Sequence, residues 1–357
     1  MMWTGAWRRP HSYGDPEAEA KVVHDSLGLI DVSTLGKLLV RGPDAAAFLE
    51  RLYPNRFADL KVDRIRYGVL GTDGGRVMDD GTIARLDEEL FYVTTTSTGA
   101  NTVIEWFDWW NAVWGFGVET TNVTGALAAV NLAGPNSREL LGRLTDLDVS
   151  NEALKYLDAK RAQVAGVPCL VLRIGFVGEL GYELHFPSPH AEYLWDTLLG
   201  EGADLGIRPF GLEAQRILRL EKQHILVGQD TDSESNPLEA GMPWLVKWEK
   251  DDFVGKWALE HVRERGPREQ LVGFELAEGL GSVPAEGGQI VVDGKPGGRV
   301  TSARWSPQLG RPIGLAWVPS RLAHEGAEIT IKMNSGFEQG RVRLKPFFDP
   351  DGGQLRS

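Results

Sequence analysis

The 357-residue chain carries 38 Lys and Arg against 50 Asp and Glu, and the resulting charge of −12 opposes nucleic-acid binding along an extended basic groove. Hydrophobic residues at 42% and charged residues at 25% are ordinary globular proportions, and the length exceeds a single core, so two or three domains or subdomains are expected. Cys169 is the only cysteine, which excludes an internal disulfide and any zinc or iron–sulfur site made from cysteines of this chain alone; it reads as a buried apolar thiol.

In chain order, residues 1–10 lack the apolar core of a signal peptide. No run of about 18 apolar residues exists for a membrane span, so a cytoplasmic protein is the expectation. Ala18, Val22, Val23 and Leu27 recur at helical spacing and predict a helix over 15–28. Strands follow at 29–33 and 38–41, with Gly42 and Pro43 as punctuation and Asp44 capping a short helix through Leu52. Runs at 67–70 and 81–86 pair across the turn from Thr72 to Gly75, and 90–95 is a further strand. A long helix near 99–115 carries Trp106, Trp109, Trp110 and Trp114, which read as packing or an interface patch.

An apolar strand at 126–132 ends at Gly134 and Pro135, with Asn136 or Ser137 capping the next helix. Strands at 169–174 and 181–186 and a helix over 190–200 come next. The run from Leu218 starts as an amphipathic helix with Ile217, Leu218 and Leu220 on one side and Arg216, Arg219 and Glu221 interleaved. It breaks at Gly228 into a loop crowded with Asp230, Asp232, Glu234 and Glu239, which packing alone does not require. From about 270, short β-like runs alternate with Gly- and Pro-rich turns, the pattern of a small barrel or sandwich. The charged stretch 262–269 marks the boundary, giving an α+β region over 1–265 and a β region over 266–357.

Asp79 and Asp80 open a strand just after Gly74 and Gly75. Locally they read as solvated turn residues, because Asp is a common turn residue. Neighbours on a strand point to opposite faces, so only one of the two can line a given pocket. The glycines between Gly175 and Glu183 are not spaced as GxGxxG and no helix pattern follows, which argues against a dinucleotide site and leaves a glycine-rich hairpin as the local reading. The seven histidines form neither H-x-x-x-H nor HExxH, so no metal site is expected.

Taken together, these segments resemble the glycine-cleavage aminomethyltransferase family, which also covers the folate-binding halves of sarcosine oxidase α subunits and dimethylglycine oxidases. The resemblance rests on L-R-L-E at Leu218 to Glu221, G-x-D at Gly228 to Asp230, and P-x-E-x-G at Pro237 to Gly241. It extends to Asp31-Val32-Ser33, the glycine pair before Asp79 and Asp80, the Gly175 to Glu183 element, and G-x-V-T-S at Gly298 to Ser302. Ser306-Pro307 and Pro346-Phe347 complete it, so that it spans roughly 20–348.

The resemblance implies a three-lobed cloverleaf, with two interleaved α+β subdomains and a C-terminal β-barrel around a central folate channel. It implies tetrahydrofolate as cofactor. Asp80 would be the catalytic carboxylate facing the folate near N10 or N5, able to take a proton and to stabilise positive charge. Glu183 would grip the pterin's parallel N–H donors, and Tyr92, Phe176, Thr96 and Trp244 would complete the cofactor site. Phe176 replaces a frequent tyrosine. Gln215 stands where aminomethyltransferases usually carry an arginine that meets the cofactor's acidic tail, and Thr94-Thr95-Thr96 is closer to the sarcosine oxidase pattern.

The function implied is tetrahydrofolate-dependent one-carbon transfer, first as a demethylase acting on a small N-, O- or S-methyl donor. The free-standing length and Gln215 favour a demethylase or a partner-fed transferase over glycine cleavage, and the lack of a flavin fingerprint means that the chain is not expected to oxidise an N-methyl group by itself. The alternative is a partner-fed aminomethyltransferase that makes 5,10-methylene-tetrahydrofolate with a flavoprotein or lipoyl carrier. A second alternative is a folate-binding regulatory or assembly protein without transferase activity.

Overall fold

The computed structural model describes residues 1–357. Two antiparallel hairpin series and one long crossover build the first two lobes. A five-stranded antiparallel sheet has the order Ile65–Gly71, Val77–Asp87, Leu90–Thr95, Gly36–Arg41, Glu119–Asn122. A six-stranded sheet has the order Ala159–Val164, Val167–Leu172, Gly181–Pro187, Leu127–Ala133, Leu27–Asp31, Ile207–Pro209, with only the last pairing parallel. Because Leu27–Asp31 belongs to the second sheet and precedes the whole first sheet, the chain leaves one lobe, builds the other and returns. The two α+β lobes are therefore interleaved. The third lobe is a closed barrel of six strands between Glu269 and Arg343. The expected α+β architecture with a C-terminal barrel is the observed one. No helix is long and apolar enough to cross a membrane.

Local corrections have physical reasons. The first helix is Pro16–Asp25 rather than 15–28, because Leu27–Asp31 pairs with Leu127–Ala133 and pulls the chain into the sheet. Asp44 does not cap its helix; its carboxylate accepts the Gly117 N–H at 2.8 Å instead. Neither Asn136 nor Ser137 supplies a side-chain cap: Asn136 flanks the helix but donates its amide to the Leu205 carbonyl. The stretch 262–269 is not wholly a linker, since Lys256–Arg265 is helical up to Gly266. Polar strands at Glu119–Asn122 and Ala159–Val164 escaped the hydrophobic-pattern reading because each is an edge or near-edge strand with solvated side chains. Trp106, Trp110 and Trp114 pack against the first lobe's core, with Trp110 and Trp114 stacked at 4.7 Å, whereas Trp109 is exposed.

The helix Leu212–Glu221 holds the three lobes together. Its Arg219 and Glu221, read from the sequence as the polar side, are both buried. Arg219 donates to Asp230 Oδ2 at 2.5 Å and to Ser302 Oγ at 2.6 Å, and Asp230 also accepts from Thr301 and Ser302 of the barrel. Glu221 accepts from Ser306 Oγ at 2.6 Å and meets His24 Nε2 at 2.6 Å, while His24 Nδ1 meets Glu179 Oε1 at 2.7 Å. Barrel, first helix, glycine-rich segment and central helix thus share one buried ionic seam.

Two outcomes follow from this junction. Arg219→Met leaves Asp230 as an uncompensated buried charge and should cost about 3–5 kcal/mol in urea unfolding. Burial opposes the charge on His24, but the bonds to Glu179 and Glu221 outweigh it and raise its pKa from 6.5 to about 9. The folded value lies above the unfolded one, so this stabilisation is complete below pH 6.5 and is lost as pH rises through about 9. The parent should therefore lose on the order of 3 kcal/mol between neutral and alkaline pH, and His24→Gln should lack that dependence in unfolding titrations.

Candidate functional site

The geometry of the site follows from strand register. In the five-stranded sheet Tyr67 pairs with Thr82, Val69 with Asp80, Leu39 with Tyr92, and Lys37 with Thr94. Opposed residues of an antiparallel pair share a face, and alternation separates Asp80, Thr82 and Ala84 from Asp79 and Ile83. Ile83 packs with Leu38, Val93 and Phe107 beneath the helices. Ala84 and Tyr92 instead pack with Leu172 and Ile174 of the second lobe. In the six-stranded sheet Leu172 pairs with Glu183 and Leu170 with His185. Asp80 and Glu183 therefore stand on the facing surfaces of two packed sheets.

Asp80 is half-buried, and its Oδ2 accepts the Tyr67 hydroxyl at 2.7 Å. Tyr67 in turn lies 6.5 Å, ring to ring, from Trp244, and its oxygen is 3.8 Å from Met242 Sδ. Burial, with the charge of Asp79 adding to it and the Tyr67 bond opposing it, pushes the Asp80 carboxyl up to about 7. Asp79 turns the other way. Its Oδ1 accepts the N–H groups of Asp80 at 2.8 Å and Thr96 at 3.3 Å, while its buried Oδ2 has no partner. That oxygen lies against Gly99 at the start of the helix Ala100–Trp114; a Cβ there would come within 1.8 Å of it. Burial raises Asp79 to about 6, against the lowering effect of the Asp80 and Thr96 bonds. Two adjacent carboxyls that both titrate near neutrality behave as a coupled pair.

Across the seam, Glu183 Oε2 meets His185 Nε2 at 3.0 Å, and His185 Nδ1 meets the Tyr92 hydroxyl at 2.8 Å. All three side chains are buried. The contact with His185 engages Oε2 and leaves Glu183 Oε1 out of it. Phe176 stacks on His224 at 5.7 Å, and its carbonyl accepts the His224 Nδ1–H at 2.8 Å. Burial lowers His224 to about 4, so it is neutral at ordinary pH. Trp244 is 61% exposed, an indole that protein packing does not cover.

Of the residues singled out from the sequence, Asp80 and Trp244 converge through Tyr67, and Glu183 and Tyr92 converge through His185. Thr96 belongs to the Asp79 neighbourhood rather than touching Asp80, and Phe176 forms its own stack with His224. Sequence reasoning missed Tyr67, His185 and Lys37. The first two carried a readable signal. Tyr67 is diagonal to Asp80 across a hairpin, and His185 lies two residues beyond Glu183 on the same strand face.

The carboxyl pair makes a direct prediction. Asp79→Asn removes the neighbouring charge, so Asp80 should titrate below about 7 when followed by carbon-13 NMR of the carboxyl groups. An unmoved titration would mean that Asp79 does not reach Asp80 electrostatically.

Comparison with known proteins agrees with this architecture. The family described as GCVT N-terminal domain matches residues 1–250, and that described as Glycine cleavage T-protein C-terminal barrel domain matches residues 269–349. The sarcosine oxidase subunit alpha of Corynebacterium sp. (strain P-1) is 38% identical over 99% of this chain, which spans only 38% of that subunit's length. The aminomethyltransferase of Desulforamulus reducens is 33% identical over 98% of this chain and 94% of its own. The crystal structure of the glycine cleavage system aminomethyltransferase T from Bartonella henselae superposes with a TM-score of 0.88 at 25% identity, covering 98% of this chain and 94% of that one. The chain belongs to the glycine cleavage T-protein family, whose members use tetrahydrofolate for one-carbon transfer.

Proposed function

We propose that this chain transfers a one-carbon unit to tetrahydrofolate in the seam between its two sheets, with Asp80 handling the proton. The observation that carries the proposal is geometric: a half-buried carboxyl, held by Tyr67 and pushed upward by burial, faces a second buried carboxylate across the seam. The donor set suits a reduced pterin. Glu183 Oε1, outside the His185 contact, is an acceptor for N–H groups, and the uncovered Trp244 indole offers a flat surface for an aromatic ring. When bound, tetrahydrofolate supplies the nucleophilic nitrogen that accepts the carbon.

The chain's own groups then have defined tasks. Glu183 orients the ligand. Tyr67 donates to one oxygen of Asp80 and leaves Oδ1 free of protein bonds. Ionised Asp80 would accept a proton at its carboxylate, and a carboxyl pushed up to about 7 makes that exchange reversible at neutral pH. The packed seam limits water around these carboxyls, which strengthens their electrostatic effect.

The finer reading is direct demethylation of a small N-, O- or S-methylated donor; Gln215 in place of the aminomethyltransferase arginine supports this reading and the partner-fed one alike against glycine cleavage. The second reading is partner-fed aminomethyl transfer with a flavoprotein or lipoyl carrier. It is favoured by 38% identity to a sarcosine oxidase subunit and by the aminomethyltransferase relatives.

Product analysis by mass spectrometry separates the two. Direct transfer yields 5-methyl-tetrahydrofolate from protein, tetrahydrofolate and methyl donor alone. Partner-fed transfer yields 5,10-methylene-tetrahydrofolate, and only with an oxidising or lipoyl partner or with formaldehyde. In either case Asp80→Asn should lower turnover about 100-fold while changing folate affinity little. Glu183→Gln should weaken tetrahydrofolate binding by about 1.5–3 kcal/mol.

A further inference from the structure

Glu183 is a buried carboxylate that His185 meets directly, Tyr92 reaches through His185, and Lys37 influences through space. Its strand neighbour His185 meets Oε2 at 3.0 Å. Tyr92, on the facing sheet, meets the other nitrogen of the same imidazole at 2.8 Å. Lys37, also on the facing sheet and fully buried, donates its ammonium to the carbonyls of Ser33 at 2.8 Å and Leu35 at 2.9 Å. Two carbonyls leave the third ammonium hydrogen uncommitted, because Lys has three donors.

An ionised Glu183 fixes the direction of the first bond, and the second follows the form of the imidazole. A carboxylate only accepts, so His185 Nε2 carries the hydrogen and donates it to Glu183. In the neutral imidazole Nδ1 is then the acceptor, and the Tyr92 hydroxyl donates to it. Oε2 is occupied from within the protein, and Oε1 is the oxygen left out of that contact.

We propose that Lys37 and His185 are positioning residues for the cofactor: Lys37 supplies the countercharge that keeps buried Glu183 ionised, and His185, oriented by Tyr92, fixes the carboxylate so that Oε1 faces the ligand. The inference rests on the folate-binding reading of Glu183. A buried carboxylate without a counterion takes up a proton, and a protonated Glu183 would lose half of its capacity to accept N–H bonds. Burial lowers Lys37 to about 8 while the nearby charges of Glu183 and Asp31 pull it upward, so it remains mainly cationic at pH 7. The ionisable groups facing Glu183 are Lys37 and Tyr92 from the five-stranded sheet and His185 from its own strand; Asp31, two strands away and on the opposite face with Val130 and Leu184, acts on Lys37. Asp80 and Tyr67 lie farther along the same sheet face. Lys37 is the only lysine or arginine among them.

The test is isothermal titration of the intact chain with tetrahydrofolate at pH 6 and pH 8.5. The parent should bind about equally at both. Lys37→Met should bind about tenfold more weakly at pH 6 than at pH 8.5, as a carboxylate that has lost its countercharge takes up a proton more readily, and Lys37→Arg should restore the flat profile. His185→Phe should weaken binding about tenfold at both values, with His185→Gln, which keeps an N–H donor, recovering most of it. A merely structural role would not create a pH dependence. If Lys37→Met folds poorly, Lys37→Met with Glu183→Gln removes both charges; it should bind weakly and without pH dependence, and a pH-dependent affinity there would overturn the proposal. Weakened Glu183→Gln beside unchanged Lys37→Met and His185→Phe overturns this inference alone. Glu183→Gln that binds like the parent overturns the folate-site reading beneath it.

Discussion

Every functional feature of this molecule depends on how it neutralises charge in places that water does not reach. The central helix Leu212–Glu221 is the clearest case. Arg219 and Glu221 are buried, and each is answered by a barrel serine and a second element: Ser302 and Asp230 for the arginine, Ser306 and His24 for the glutamate. Trp317 of the barrel adds an indole bond to the Asp230 carbonyl at 2.9 Å. Unpaired, such charges would cost several kcal/mol each, so their pairing defines a single relative placement of lobes and barrel. Leu220 of the same helix packs with Val69 and Val77 of the five-stranded sheet, the sheet that presents Asp80 to Glu183.

Within the seam the same desolvation serves chemistry. Burial raises Asp80 toward neutrality, Asp79 raises it further, and Tyr67 restrains the shift. A carboxyl tuned in this way can hold or release a proton near pH 7 without a metal ligand set being required of the chain's side chains. Glu183 is managed differently. Its neighbours are a lysine and a histidine donor rather than a second carboxylate, so it is suited to remain an acceptor. Two acids in one seam thus receive distinct environments, which on the proposed function would separate proton transfer from binding.

Much of this was legible in the chain. The strand at 90–95, the helix near 99–115 and the switch to short β runs after 270 all carry strong periodicity or turn chemistry, and they appear close to the expected limits. The Asp79–Asp80 alternation was also readable, because a period of two leaves no choice about opposite faces. What could not be read were the buried charges. Arg219, Glu221, His24 and Lys37 look like solvated surface residues in one dimension, since the partners that make burial tolerable lie up to 197 residues away. His185 was weighed only as a metal ligand, although its spacing from Glu183 already placed both on one strand face. Edge strands such as Glu119–Asn122 escaped for the opposite reason, as their side chains bury too little to leave a hydrophobic pattern.

The account's central claim is that the carboxylates facing each other across the two sheets form a single tetrahydrofolate site. A crystal structure of the chain with tetrahydrofolate bound tests it most directly. The account predicts pterin N–H groups within about 2.7–3.2 Å of Glu183 Oε1, with a folate nitrogen in reach of Asp80. A pterin bound outside the seam, or one inside it that leaves Glu183 Oε1 without a hydrogen bond, would contradict it.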